Sequence, residues 1–171
     1  MKMLNKFLIS GVFVIFVLVL NSKLVNLTTD KTEASNEVQR TNLPDLKSMF
    51  EPDLFYLGIN WKSTHTSQIN GLIRGAIIPH HLVPSFMIAD LFKRLQSQSI
   101  TTIILIGPNH YETGSSRFIT ALNNWETPFG RLEIDRQAIE KLVVSNQIKL
   151  DSINIEPEHS IAGITPFIKY Y

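Results

Sequence analysis

The feature that most restricts the fold is a strand–helix–strand unit in the middle of the chain. Gly71 to Pro79 reads GLIRGAIIP. A short apolar run with β-branched residues, bounded by Gly and Pro, suits a buried strand. Pro84 then opens SFMIADLFKRLQSQ, where Phe86, Ile88, Ala89, Leu91, Phe92 and Leu95 recur at helical spacing. Proline suits a helix start, where its missing N–H costs nothing. Thr101 to Ile106, TTIILI, is a second β-branched run, closed by Gly107 and Pro108. The unit predicts two parallel strands joined by a right-handed crossover. The expected class is therefore α/β, with a mostly parallel sheet and flanking helices.

Histidines stand at both strand ends. His80 and His81 follow the first strand; His110 follows the second by four residues. In open α/β sheets, ligands bind at the carboxyl edge of the strands. If the two strands are neighbours, about 5 Å apart, His80 and His110 converge on one point. Two neutral nitrogens on rigid elements, with positions left open, are what a metal requires. The spacing leaves a second reading open, two loop histidines that pack or face solvent. His81, next to His80 in an extended segment, is expected to point the opposite way. That makes it a substrate-facing group or a plain loop histidine.

Further along, Phe118 to Leu122 is a strand candidate, Asn123 to Gly130 (NNWETPFG) a loop, and Leu132 to Ile134 a short strand. Trp125 is expected to pack and Glu126 to be solvated. Asp135 suits the N-cap of a helix over Arg136 to Ser145, with Ala138, Ile139, Leu142 and Val143 on one face. His159 follows Glu158 and opens the helical stretch SIAGITPFIKYY. A histidine near a helix amino terminus tends to be neutral, which suits an acid, a base or a ligand. The other reading is a surface histidine beside a carboxylate.

The amino terminus is of another kind. Lys2 and Lys6 precede FLISGVFVIFVLVL, Phe7 to Leu20. A basic start and an apolar run of this length predict a hydrophobic helix, a signal anchor or signal peptide over residues 1–27. It would tie the chain to a membrane with the domain on the extracytoplasmic side, or export it. A β-rich core segment is the other reading of this Val- and Phe-rich run. Residues 28–48 are polar and read as a linker, which leaves 49–171 as one domain. No capping Gly or polar tail follows the helical pattern at Tyr171, so the domain is expected to be truncated there.

Composition removes several chemistries. The chain of 171 residues has no cysteine, so disulfides and thiolate ligands are excluded. Any metal would be held by His, carboxylate or carbonyl groups. Net charge is +1, from 16 basic and 15 acidic residues, with no basic run beyond the first segment. Nucleic-acid binding needs a basic face and is not expected.

Four segments together carry a family resemblance: GAIIPHH, ILIGPNHY, WETPFGRLEIDRQAIEKL and EPEHSIAGITPFIKYY. In order and spacing they resemble the Memo family, whose prokaryotic members are termed AmmeMemoRadiSam system protein B. The match runs from about Gly71 to Tyr171 and covers the amino-terminal half of the family domain. The resemblance implies a fold like that of the class III extradiol dioxygenases, non-haem iron enzymes with an α/β core. It implies a metal site in which His80 and His110 are two of the ligands. The third ligand would come from the carboxyl-terminal half, outside this chain. His159 matches a family histidine near the site and would act catalytically, as acid, base or orienting group. His81 would face substrate. The implied cofactor is Fe(II) or copper, and the implied activity a metal-dependent, dioxygenase-like oxidoreductase. A non-catalytic module for a small molecule or peptide, or an inactive fragment, are the other outcomes.

Overall fold

The computed structural model describes residues 43–62, 71–114, 116–145 and 148–171 in full, and residues 14–20 as backbone. Its strands are β1 (Val14–Leu20), β2 (Leu46–Lys47), β3 (Gly75–Pro79), β4 (Thr102–Ile106), β5 (Ile119–Thr120), β6 (Trp125–Thr127), β7 (Gly130–Leu132) and β8 (Lys149–Leu150). The helices are α1 (Pro52–Ile59), α2 (Ser85–Leu95), α3 (Arg136–Val144), α4 (Ser152–Ile155), α5 (His159–Ala162) and α6 (Thr165–Tyr170). The chain is thus mixed α/β, with small sheets and short helices.

The strand–helix–strand unit is present at β3, α2 and β4, but its two strands are not neighbours. The sheet order is β3-β1-β4. Strand β1 pairs antiparallel with both, Val14 opposite Pro79 on one side and Leu20 opposite Thr102 on the other. β3 and β4 therefore run the same way, one strand apart. The expectation of a mostly parallel sheet is not confirmed: among the described residues, parallel pairing is found in the two-residue ladders β2–β6 and β5–β8, while β1 pairs antiparallel. The reason is that an apolar, β-branched run from the amino terminus fills the gap between the two strands. Val14–Leu20 is accordingly a strand and not part of the expected helix. The rest of that segment, residues 1–13 and 21–27, lies outside the described residues. Among the described residues no helix is long and apolar enough to cross a membrane.

Helix α2 forms as its pattern predicts. Pro84 stands at the cap, Lys93 and Arg94 lie in the last turn, where positive charge meets the negative end of the helix dipole, and Arg94 pairs with Asp90 at 2.7 Å. Its buried face is Ile88, Ala89, Leu91, Phe92 and Leu95. Against it pack α1, β3 and α6, so the main core gathers Phe55, Ile78, Leu82, Ile164 and Phe167 around that face. The approach of α1 to α2 depends on Gly58. A Cβ there would lie 2.7–2.8 Å from Ser85 atoms, closer than any side chain tolerates. The Ser85 hydroxyl donates to the Leu54 carbonyl at 2.6 Å and fastens the same crossing.

A second, smaller cluster joins Leu46, Ala121, Trp125 and Ala162. Trp125 packs, as expected, and Glu126 is exposed. The segment Asn123 to Gly130 is not all loop, however: Trp125–Thr127 pairs with Gly130–Leu132 in a tight hairpin. Gly130, at φ 109°, occupies the left-handed region the turn requires. Leu46, at the end of the polar stretch, pairs opposite Trp125 and is buried. Asp135 caps α3 by accepting the Ala138 N–H, as its position suggested.

Candidate metal centre

Strand alternation explains the first histidine. Ile77 is exposed and Ile78 buried, so the next inward position is residue 80. His80 is fully buried just past the end of β3. At His81 the chain bends, and the alternation that would send this side chain the opposite way ends there. The His81 ring instead lies 4.7 Å from that of His80 and 5.7 Å from that of His159, on the exposed side of the cluster.

The second histidine hangs from the loop after β4. Asn109 shapes this loop: its amide donates to the Thr113 carbonyl at 2.7 Å and its side-chain oxygen accepts the Thr113 N–H at 3.3 Å. Glu112, at φ 49°, takes the left-handed conformation that closes the turn. The loop presents His110 to His80, with ring centroids 4.8 Å apart.

The third comes from α5, about 50 residues further along the chain. Its amino terminus docks onto the β4 loop. The Ser160 hydroxyl donates to the Pro108 carbonyl at 3.1 Å. Glu158 accepts the backbone N–H of His110 at 2.8 Å through Oε2, and its Oε1 lies 2.8 Å from His110 Nδ1. The same Oε1 accepts the Ser160 N–H at 3.0 Å and so caps α5. This docking sets the His159 ring 4.2 Å from that of His110 and 5.4 Å from that of His80.

Gly107 permits this docking. A Cβ at residue 107 would meet Ser160 Oγ at 2.5 Å and Ile161 Cδ1 at 3.1 Å. Gly107→Ala is therefore expected to push α5 off the loop and destabilise the chain by about 1–3 kcal/mol, the usual cost of overpacking. Metal affinity should fall with it. A thermal melt beside a metal titration checks both, and an unchanged affinity would show that α5 is not held through this contact.

Charge states suit the geometry. The His159 pKa is lowered, first by burial and then by the nearby His110, against the opposing pull of Glu158. A four-residue helix has little dipole, so burial rather than the helix terminus keeps this ring neutral. Glu158 is also lowered: burial, the largest single effect, pushes it up, but the Ser160 and His110 N–H groups and the His110 ring outweigh it.

His80, His110 and His159 each offer one ring nitrogen, and these nitrogens lie within 4.8 Å of one another. Nitrogens bound to one ion at about 2.0–2.1 Å are at most about 4.2 Å apart, so small ring rotations bring all three into range. Three imidazoles on rigid backbone fit a divalent transition metal. The two histidines named from spacing are together, and His159 joins them as a third candidate donor within this chain. Glu158 was missed as a site residue. Its signal was present in the EHS segment, but nothing in the sequence showed that its carboxylate meets His110.

Fold and site define an α/β protein with a three-histidine centre placed to hold a metal ion. A family model described as Memo-like protein matches residues 57–171, and the chain belongs to that family. A MEMO1 family protein of Pyrobaculum aerophilum is 30% identical over 114 residues, covering 64% of this chain and 41% of that relative. One from Caldivirga maquilingensis is 41% identical over 68 residues, covering 39% of this chain and 24% of the relative. One from Methanothermobacter thermautotrophicus is 36% identical over 103 residues, covering 58% and 37%. The chain thus spans about two fifths or less of the length of these curated relatives. No solved structure matches it.

Proposed function

We propose that this Memo-like chain binds one redox-active divalent metal, Fe(II) or copper, through His80, His110 and His159, and supports dioxygenase-like oxidation of a small organic substrate. The observation that carries the reading is the convergence of three ring nitrogens from three separate elements. In this reading His159 is a ligand rather than a separate acid or base, because it sits among the donors. A bound redox metal supplies Lewis acidity, electron exchange and open positions for oxygen-bearing ligands. The protein's part is to hold the three imidazoles in place and to shape access. His81, on the exposed side of the cluster, is the side chain best placed to meet a substrate.

The test is an anaerobic titration of the full chain with Fe(II) and with copper, followed by oxygen-uptake measurements on the loaded protein. One metal per chain with substrate-dependent oxygen uptake supports the reading. A folded chain that takes up neither metal overturns it.

A second reading, a binding module without turnover, is favoured by a separate feature. An open groove of about 620 Å³ is lined by Asp53, Tyr56, Leu57, Asn60, Trp61 and Lys62, with no histidine among them. Exposed Tyr56 and Trp61 give it the aromatic character common in peptide-binding surfaces. Peptide binding that survives loss of the histidines, with no oxygen uptake, would select this reading.

A further inference from the structure

We propose that Glu158 is the positioning residue of the centre, fixing His110 with its proton on Nδ1 so that Nε2 is the donor nitrogen, and setting His110 against His159. This rests on the metal reading above.

The geometry is specific. The Glu158 side chain is 5% exposed, and burying a carboxylate is costly unless its oxygens are satisfied. Three donors satisfy it: His110 N on Oε2, and His110 Nδ1 and Ser160 N on Oε1. Both oxygens already accept backbone N–H groups, so the carboxylate acts as acceptor toward Nδ1 as well. A neutral imidazole carries one proton, and the hydrogen bond at one nitrogen decides the state of the other. A partner at Nδ1 that holds the proton there makes Nε2 the lone-pair nitrogen. Carboxylates orient metal-binding histidines in this way in many metal sites.

Helix capping alone does not account for the residue. Ser, Thr, Asp and Asn cap better than Glu, and a cap needs no contact beyond its own first turn. Glu158 reaches across 48 residues of sequence to both the backbone and the ring of His110. It also lies 3.6 Å from His159 Nδ1. One carboxylate therefore braces two of the three donor-bearing segments.

The test separates bracing from capping. The full chain, labelled with 15N-histidine, is compared with Glu158→Ser and Glu158→Gln. Serine keeps a good helix cap but cannot reach His110; glutamine keeps an acceptor oxygen at similar reach. Histidine side-chain 15N shifts are read on the metal-free proteins, and cobalt(II) affinity by visible absorption. Thermal melts verify folding. In the unaltered chain His110 is expected to carry its proton on Nδ1. Glu158→Ser should lose that preference and bind cobalt about 10–100-fold more weakly, the range typical of such partners. Glu158→Gln should recover part of the affinity, because it keeps one acceptor oxygen for His110 while its amide nitrogen loses the backbone N–H that the second carboxylate oxygen accepted. A folded Glu158→Ser variant with unchanged tautomer and affinity overturns the proposal and leaves Glu158 a cap. If the unaltered chain takes up no cobalt, the metal reading fails. The tautomer then decides on Glu158 alone: a preference lost in Glu158→Ser supports the orienting contact, and an unchanged one overturns it.

Discussion

Alanine at any one of His80, His110 or His159 is expected to weaken divalent-metal binding by about 100-fold or more, beyond the loss typical of an outer partner. The double variant His80→Ala, His110→Ala should abolish it. Each ring comes from a different element, and His110 and His159 have no second histidine beside them on their own segments. Among the described residues His81 is the nearest further imidazole, with its ring 4.7 Å from that of His80; its exposure is what sets it apart from the three. The informative variant is His159→Ala. His159 is only part-buried, so its removal costs little in packing. A competition titration against a coloured chelator, with a melt to verify folding, reads the effect. Unchanged affinity in His159→Ala would reduce the centre to two imidazoles. His80→Ala needs the folding control most, because His80 is fully buried and its loss leaves a cavity.

Phe55→Ala is expected to cost about 3–5 kcal/mol, the range for deleting a buried aromatic ring. Phe55 is 1% exposed and is the hub of the aromatic core. Its ring lies 4.5 Å from Phe167, 4.9 Å from Phe129, 5.3 Å from Phe50 and 5.4 Å from Tyr170. Edge-on and tilted pairs at such distances add to the burial itself. Against a total stability of about 5–15 kcal/mol, the loss is a large fraction. Denaturant unfolding should show a lowered midpoint, and a loss under 1 kcal/mol would mean that the ring is not a core residue. The consequence reaches the centre. Phe167 lies on α6, which follows directly on α5, so loosening Phe55 frees the segment that carries His159.

What the sequence determined was local. Helical spacing in SFMIADLFKRL located α2, and its capping and charge pattern agreed. β-Branched runs closed by Pro located β3 and β4, and the histidines after them were candidate donors for that reason. Asp135 announced α3 because a side chain that caps a helix acts within three residues. The family, too, was legible, because its segments keep residue identities that pattern alone does not specify.

Only the tertiary structure decided the rest, and in each case the reason is a contact distant in sequence. Apolar periodicity could not separate a membrane helix from a core strand over Val14–Leu20; the pairing with β3 and β4 makes it a strand. Alternation predicted His81 on the far side from His80, but a bend after β3 cancels alternation. His159 lies beside His110, and Glu158 within hydrogen-bond distance of the His110 ring, because α5 docks against the β4 loop through Gly107, Pro108 and Ser160. The sequence therefore determined which side chains were chemically able to hold a metal. The tertiary structure decided which of them share a site, because that choice is made by packing between segments some 30 to 50 residues apart, beyond the reach of any local pattern.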